Sequence, residues 1–166
     1  MENILHRRSI RKFTSEAISE ETITNLLKAA MAAPSFGNAQ PWHFIVLRDR
    51  LILDQISRFH KSASALKTAS VAILVCGDLH FEKFEGRWMM DCAAATENII
   101  IATQILGLGS VWLGIYPDNR RILMMRELLE LPEDIIPLAL VPVGYPAEQK
   151  PPGDRFREER VHYDRW

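Results

Sequence analysis

The stretch CAAATENIIIATQIL, residues 92–106, is the most informative one for the fold, because small and apolar residues occupy nearly every face of its predicted helix. A helix of this kind is normally buried, either in a large core or in a subunit interface. Gly107 follows directly and predicts a left-handed residue that ends the helix. The next segment, SVWLGIY at 110–116, is rich in apolar residues, and we predict a strand there.

Three further strands are predicted from short apolar runs, HFIVLR at 43–48, VAILVC at 71–76 and IIPLALVPVGYP at 135–146. The run at 71–76 is apolar throughout, which is typical of a strand that is buried on both faces. Pro142 lies inside the last run and predicts either an edge position or a bulge, because proline cannot donate to a strand ladder.

Amphipathic periodicity predicts helices between the strands, at 19–33, 49–59, 86–106 and 118–130. Ser19 has the side chain of an N-cap, and Pro34 stops the first helix. Together these elements predict an α+β fold in which helices pack on a mixed sheet of about four to five strands. We expect one domain over residues 1–166 that ends in an extended tail at 150–166.

The composition argues against several classes of protein. The 20 Lys+Arg and 21 Asp+Glu residues nearly cancel, and a pI near 6.5 is low for a general nucleic-acid binder. No apolar run reaches the length of a membrane span, and the first residues lack the apolar region of a secretion signal. Cys76 and Cys92 stand alone, so they predict neither a disulfide framework nor a metal site. We expect a cytoplasmic protein with no nucleic-acid or membrane partner.

Several common catalytic motifs are absent, among them G-x-S-x-G, H-E-x-x-H and the P-loop. The segment GLGSVWLG at 107–114 partly matches a dinucleotide-binding fingerprint, but Trp112 occupies the third glycine position. The segment also runs from helix to strand, whereas the fingerprint needs a strand that leads into a helix N-terminus. Its glycines instead indicate backbone that approaches something flat.

Positive charge is concentrated at the start of the chain in RRSIRKF, residues 7–13. A charge run is usually a solvated face, and that interpretation stays open. The alternative is a site for a small oxyanion, because Ser9 adds a hydroxyl and arginine favours bidentate binding of phosphate. Arg155 and Arg157 provide a second cationic pair in the tail, near the other end of a sequence whose charges nearly cancel.

The loop PSFGNAQPW, residues 34–42, combines two aromatic side chains with the amides of Asn38 and Gln40. Amides can pair with the donor and acceptor edge of a neutral heterocycle. A well-packed loop with capping amides explains the same residues equally well.

Taken together and in order, these segments resemble the FMN-dependent nitroreductase family over nearly the whole chain. RRSIRKF resembles its R-R-S-x-R-x-F motif, and APSFGNAQPWHFIVL resembles its A-P-S-x-x-N-x-Q-P-W-x-F motif. DCAAATENIIIATQILGLGSVWLG resembles its central interface helix and the strand that follows, and GYP with the closing VHYDRW completes the match. The resemblance implies a three-layer sandwich, an obligate homodimer with FMN in the subunit interface, and a tail at 150–166 that extends over the partner.

The resemblance also implies roles for individual residues. Arg7 and Ser9 would bind the FMN phosphate, Arg8 would lie along the ribityl chain or phosphate, and Arg11 would reach the pyrimidine edge. Residues of the partner subunit would cover the flavin, namely Pro34, Ser35, Phe36 and Asn38. The remaining contacts would come from the backbone of Leu113 and Gly114, from Arg155 and Arg157 at the phosphate, and from Ser62 and Ser64, which stand where many relatives carry lysine or asparagine.

The function implied is NAD(P)H oxidation coupled to reduction of nitroaromatics, quinones or similar acceptors in a ping-pong cycle. The hydride chemistry belongs to the flavin, so no residue of the chain is assigned a catalytic acid or base role. Three alternatives stay open. One is a specialised enzyme of the same family, such as a dehalogenase, a flavin-destroying enzyme or an enoyl-type reductase. Another is a flavin-binding or sensing protein with little turnover, and the last is a chain that keeps the motifs but has lost FMN.

Overall fold

The structure is a computed structural model that describes all residues, 1–166. Five α-helices pack on one sheet of five strands. The helices are α1 (Glu2–His6), α2 (Glu20–Met31), α3 (Arg50–Phe59), α4 (Trp88–Ile105) and α5 (Asn119–Leu129). The strands are β1 (Trp42–Leu47), β2 (Val71–Asp78), β3 (Gly109–Ser110), β4 (Leu113–Gly114) and β5 (Ile135–Gly144). Their order in the sheet is β1-β2-β5-β3, and β4 also pairs with β5. No helix is both long and apolar enough to cross a membrane.

Alternate residues of β2 define the two faces of the sheet, because side chains point to opposite sides along a strand. Ile73 and Val75 pack into one core with α2 and α4. Ala72 and Leu74 pack into a second core with α3 and α5. Every residue of β2 is buried, as its apolar sequence predicted. The result is a three-layer α+β sandwich, which confirms the predicted fold class.

Helix α4 forms the centre of the first core. Cys92 and Ile99 are fully buried on its inner face, and the Asn98 side chain donates to Ala29 O of α2 at 2.9 Å. Gly107, with φ of 70°, follows the helix in the left-handed conformation that its sequence position predicted. Because α4 packs on α2 and on both central strands, its small and apolar residues account for much of the core.

The segment after α4 differs from its predicted structure. The predicted strand at 110–116 is interrupted, because Val111 and Trp112 separate β3 from β4. All pairings among the five strands are antiparallel. The mixed character that was predicted is limited to one parallel bridge, between Ser9 and Ser110.

Pro142 also lies elsewhere than predicted. It belongs to β5, a central strand, and the register shift between β5 and β2 falls at Val75 and Cys76 rather than beside Pro142. The register instead sets Pro142 opposite the break between β3 and β4. Proline has no N–H to donate, so it is tolerated where the neighbouring ladder is interrupted.

The basic N-terminal segment lies along the sheet margin next to β3. Ile10 N donates to Ser110 O at 2.9 Å, and Thr14 N donates to Tyr145 O at 2.9 Å. Between them, Phe13 is buried in the second core. The cations of residues 7–12 are thereby fixed beside the end of α4 and the segment that follows β5.

Candidate flavin site

The two predicted phosphate-binding segments line one cavity. Arg7 and Arg155 both border a space of ≈ 470 Å³ between α1 and residues 152–156. Arg8 joins the same segments, because its guanidinium donates to Pro151 O. The two guanidinium groups outnumber the one carboxylate at this cavity, that of Asp154, and they suit a doubly charged phosphate, which accepts charge-assisted hydrogen bonds. Arg157 is not part of this cavity, and its guanidinium donates to Phe156 O at 2.7 Å.

Ser9 and Arg11 are held by Glu148 and Lys150, two residues for which no role was predicted. Arg11 N donates to Glu148 Oε1 at 2.6 Å, and Lys150 Nζ donates to Ser9 O at 2.6 Å. Lys150 also pairs with Glu148 at 3.0 Å. The Arg11 N–H and the Lys150 ammonium hold the pKa of Glu148 below its usual range. This network fixes the backbone and leaves the Arg11 side chain largely exposed.

The loop at 34–38 is attached to the opposite end of α4. Phe36 N donates to the buried carboxylate of Asp91 at 2.9 Å, and Gln40 N donates to Ser35 Oγ at 3.0 Å. Gln40 Nε2 donates to Asn38 Oδ1 at 2.8 Å. Part of the amide pattern is therefore explained by bonds within the loop.

The same loop borders open space on the outer side of α4. Pro34, Ser35 and Phe36 line a shallow cavity of ≈ 340 Å³ together with Met90 and Ala94 of the helix. The Phe36 ring lies edge-on to Phe84 at 4.8 Å between centroids, and the Arg87 guanidinium stands 5.3 Å from its centroid. Phe36 nevertheless stays 46% exposed, which leaves an aromatic face free for another ring or another chain.

Strand β4 provides a third group of predicted residues. Leu113 is buried, whereas a Cβ placed on Gly114 would have no neighbour within 4 Å. Gly114 does not lie in the left-handed region, so neither its backbone nor its packing in this chain requires glycine. A glycine in a strand often marks the close approach of a ligand. This opening fits the flat ring that the sequence indicated.

Ser62 and Ser64 are exposed in the turn that follows α3. The turn is tied to β4, because His60 Nε2 lies 3.0 Å from Gly114 O. No group of three or more His, Cys, Asp or Glu side chains is arranged to hold a metal ion.

The residues described above fit a bound FMN in two respects. The cations at the cavity suit the charge of its phosphate, and the opening at Gly114 suits the shape of its ring.

The chain by itself does not bring all of these residues together. The loop at 34–38 joins α4 at Asp91, whereas Ser9 pairs with Ser110, whose hydroxyl lies 2.7 Å from that of Thr103 near the other end of α4. Asp91 and Thr103 are twelve positions apart on the helix, a rise of about 18 Å. Ser9 and the aromatic loop therefore lie at opposite ends of α4, and Arg7 lies between them, with its Nε 3.9 Å from Glu97 Oε1.

Comparison with known proteins identifies the family. The model of the nitroreductase family matches residues 4–73 and 57–145. A protein of Archaeoglobus fulgidus, provisionally named NADH dehydrogenase/NAD(P)H nitroreductase, is 48% identical, and the match covers 98% of this chain and 96% of that protein. A protein of Methanothermobacter thermautotrophicus with the same name is 44% identical over 100% of this chain and 87% of its own length.

Solved structures agree with the sequence comparison. A protein of Clostridium acetobutylicum, provisionally named NADH oxidase, has a TM-score of 0.95 and 42% identity over 99% of both chains. A Desulfovibrio desulfuricans protein solved in complex with FMN, provisionally named nitroreductase, has a TM-score of 0.86 and 30% identity over 99% of this chain and 96% of its own. This chain belongs to the nitroreductase family, as its motifs predicted.

Proposed function

We propose that this chain is an FMN-dependent NAD(P)H oxidoreductase that reduces nitroaromatics, quinones or similar acceptors. The names of its relatives support the enzyme class, since they include NAD(P)H nitroreductases and FMN reductases. The observation that carries the proposal is the cavity shared by Arg7 and Arg155, two cations that lie far apart in the sequence. When bound, FMN supplies the hydride chemistry, and the chain supplies binding and electrostatics.

In this proposal the phosphate is held by Arg7, Ser9 and Arg155, with Arg8 and Arg157 at its margin. Arg11 places its guanidinium at the pyrimidine edge, where a fixed positive charge stabilises the negative charge that the ring gains on reduction. Its backbone is already fixed by Glu148, so only the side chain has to be ordered on binding. Leu113 and Gly114 lie against the ring through their backbone, and Ser62 and Ser64 lie beside it.

The site is completed by a second copy of the chain, whose Pro34, Ser35, Phe36 and Asn38 cover the flavin. The separation of about 18 Å along α4 supports this arrangement, because Ser9 and the aromatic loop are held at opposite ends of the helix. The outer side of α4 supports it too, since Met90 and Ile105 are exposed apolar residues of the helix. A face of this kind is typical of a subunit interface.

The tail at 150–166 extends over the partner. Residues 151–166 are exposed throughout, including the large side chains of Phe156, Tyr163 and Trp166. Exposed aromatic residues are typical of interfaces, where they bury much surface at little cost in conformational entropy.

The proposed location is the cytoplasm, where NAD(P)H is available as the electron donor. The free cysteines, Cys76 and Cys92, are consistent with a reducing compartment.

The experiment is a spectrum of the purified protein, followed by anaerobic titration with NADH and NADPH. We expect flavin absorbance that bleaches with at least one donor and returns when a nitroaromatic or quinone is added. Arg7→Ala should lower the FMN content, whereas Arg58→Ala, in the outer layer on α3, should not. Bleaching without steady turnover would indicate a sensor, and absence of FMN from a folded protein would refute the proposal.

The ping-pong cycle is tested by steady-state kinetics. One shared face for donor and acceptor predicts parallel double-reciprocal lines when both substrates are varied. Intersecting lines would indicate a ternary complex and would exclude the shared face.

A further inference from the structure

The carbonyl oxygen of Gly114 is held by two side chains from two different helices. His60, at the end of α3, approaches it with Nε2 at 3.0 Å. Arg121, in the first turn of α5, donates to it from Nη1 at 2.8 Å. A carbonyl oxygen has two lone pairs, so these two donors satisfy it completely.

The contact defines the protonation of His60. A carbonyl oxygen only accepts, so His60 Nε2 must carry the hydrogen. The side chain is only 2% exposed, and its Nδ1 has no hydrogen-bond partner. Burial, together with the charge of Arg121, lowers the pKa of His60. The imidazole is therefore neutral at pH 7. The contact with Gly114 O is its one side-chain hydrogen bond.

Arg121 is itself fixed before it reaches Gly114. Its Nε lies 3.2 Å from Asp118 Oδ2, and the same aspartate caps α5 by accepting from Arg121 N at 3.1 Å. The guanidinium is thus anchored at the start of a helix, where a carboxylate is favourable.

The other end of the same peptide group is also held. Ile115 N, which follows the Gly114 carbonyl, donates to Leu138 O of β5 at 3.0 Å. The peptide between Gly114 and Ile115 is therefore bonded from three sides, while the Cα of Gly114 faces open space. Open space beside a fully fixed peptide is the arrangement that a rigid binding surface needs.

We infer that His60 and Arg121 are positioning residues that fix the Gly114–Ile115 peptide, so that the Gly114 backbone presents a preorganised surface to the flavin ring. The inference deepens the proposed function and rests on it. Neither side chain needs to touch the ring. Their contribution is to remove the mobility of the peptide before binding, which improves affinity by lowering the ordering cost.

The test compares His60→Leu and His60→Gln with Leu53→Ala. Leu removes the donor, whereas the amide nitrogen of Gln can replace Nε2. Leu53 is buried in the same core on α3, has no side-chain group that could donate to Gly114 O, and supplies a control for lost stability alone. We expect His60→Leu to weaken FMN binding by about tenfold, the effect of losing one hydrogen bond, and to shift the flavin midpoint potential. His60→Gln should restore the FMN affinity to within about threefold of wild type and reverse most of the shift in potential. Leu53→Ala should change neither the affinity nor the potential.

Amide hydrogen exchange in the apoprotein gives a readout that does not need FMN. His60→Leu should accelerate exchange at Ile115 more than at the residues of β4 and β5, and His60→Gln should reverse this. If wild-type protein binds no FMN, the proposed function fails, and exchange at Ile115 alone decides whether His60 fixes the peptide. Equal behaviour of His60→Leu and Leu53→Ala in affinity, potential and exchange would overturn the inference.

Discussion

Burial of the His60 imidazole couples the stability of this chain to pH. Its pKa is lowered in the folded state, so the unfolded chain binds a proton more readily. The stabilising contribution is complete above the unfolded value, about 6.5, and is lost as pH falls from there through the folded value. We expect the urea midpoint to fall between pH 7.5 and pH 5.5, and His60→Gln to remove much of this dependence. An equal dependence in the variant would show that other groups cause it.

That pH window separates His60 from the carboxylates. The pKa values of Asp78 and Glu148 are also lowered. For Asp78, burial alone would raise the pKa, but the hydrogen bonds with His80 and His43 together outweigh it. For Glu148, the hydrogen bond from the Arg11 N–H is the main cause. Their stabilising contributions are present above the unfolded carboxyl values, near 4, and are lost only at more acid pH. Measurements above pH 5 therefore report mainly on histidine.

The charge of Arg11 is expected to set the flavin potential more than the affinity. Arg11→Gln should retain FMN and make it harder to reduce, because a cation beside the pyrimidine edge is lost. A charged hydrogen bond contributes about 1.5–3 kcal/mol, or about 30–65 mV for two electrons. The midpoint potential measures this shift, and Arg58→Gln provides a matched loss of charge at an exposed residue of α3 that is assigned no flavin contact. An unchanged potential would place Arg11 away from the pyrimidine edge.

At the scale of elements, residues that are close in sequence were predictable and residues joined over long distances were not. The helix at 92–106, its Gly107 terminus and the buried strand at 71–76 follow from local pattern alone. The basic segment was visible because its cations are adjacent. His60 was not, because its role depends on Gly114, 54 positions away. A local sequence pattern cannot identify a hydrogen-bond partner that lies so far away along the chain.

The break between β3 and β4 shows the same limit. The run at 110–116 has the composition of one strand, yet its pairing is decided by β5. Pro142 faces the break, and only the register of the two strands brings these features together. Glu148 was missed for a similar reason, since it meets Arg11 across 137 positions.

Two glycines in strands allow the opening at β4 to be tested. Gly114→Ala should leave the melting temperature of the apoprotein nearly unchanged, because the new Cβ meets nothing. It should weaken FMN binding, because the methyl group occupies the space assigned to the ring. Gly77→Ala in β2 is the contrasting variant, since its Cβ would overlap the Trp88 ring and cost about 1–3 kcal/mol of stability. Unaltered FMN affinity in Gly114→Ala would place the ring elsewhere.

At the scale of the whole molecule, the arrangement along α4 makes a prediction about subunits. Arg7 lies beside Glu97 in the middle of the helix, and its neighbour Ser9 lies near one end, whereas Asn38 belongs to the loop that is bound at Asp91, near the other end. If two chains build each site, these residues meet only across the dimer. Arg7→Ala and Asn38→Ala should then each abolish activity without preventing dimerisation.

Mixing the two variants distinguishes a shared site from a site within one chain. After denaturation and refolding of an equal mixture, about half of the dimers should be heterodimers. In each heterodimer one site receives both lesions and the other receives neither, so about a quarter of wild-type activity should return. If both residues served the same chain's site, every site would keep one lesion. If no activity returns although mass spectrometry detects heterodimers, the two-chain site is excluded. That outcome does not bear on FMN binding itself, which the FMN content of each single variant tests.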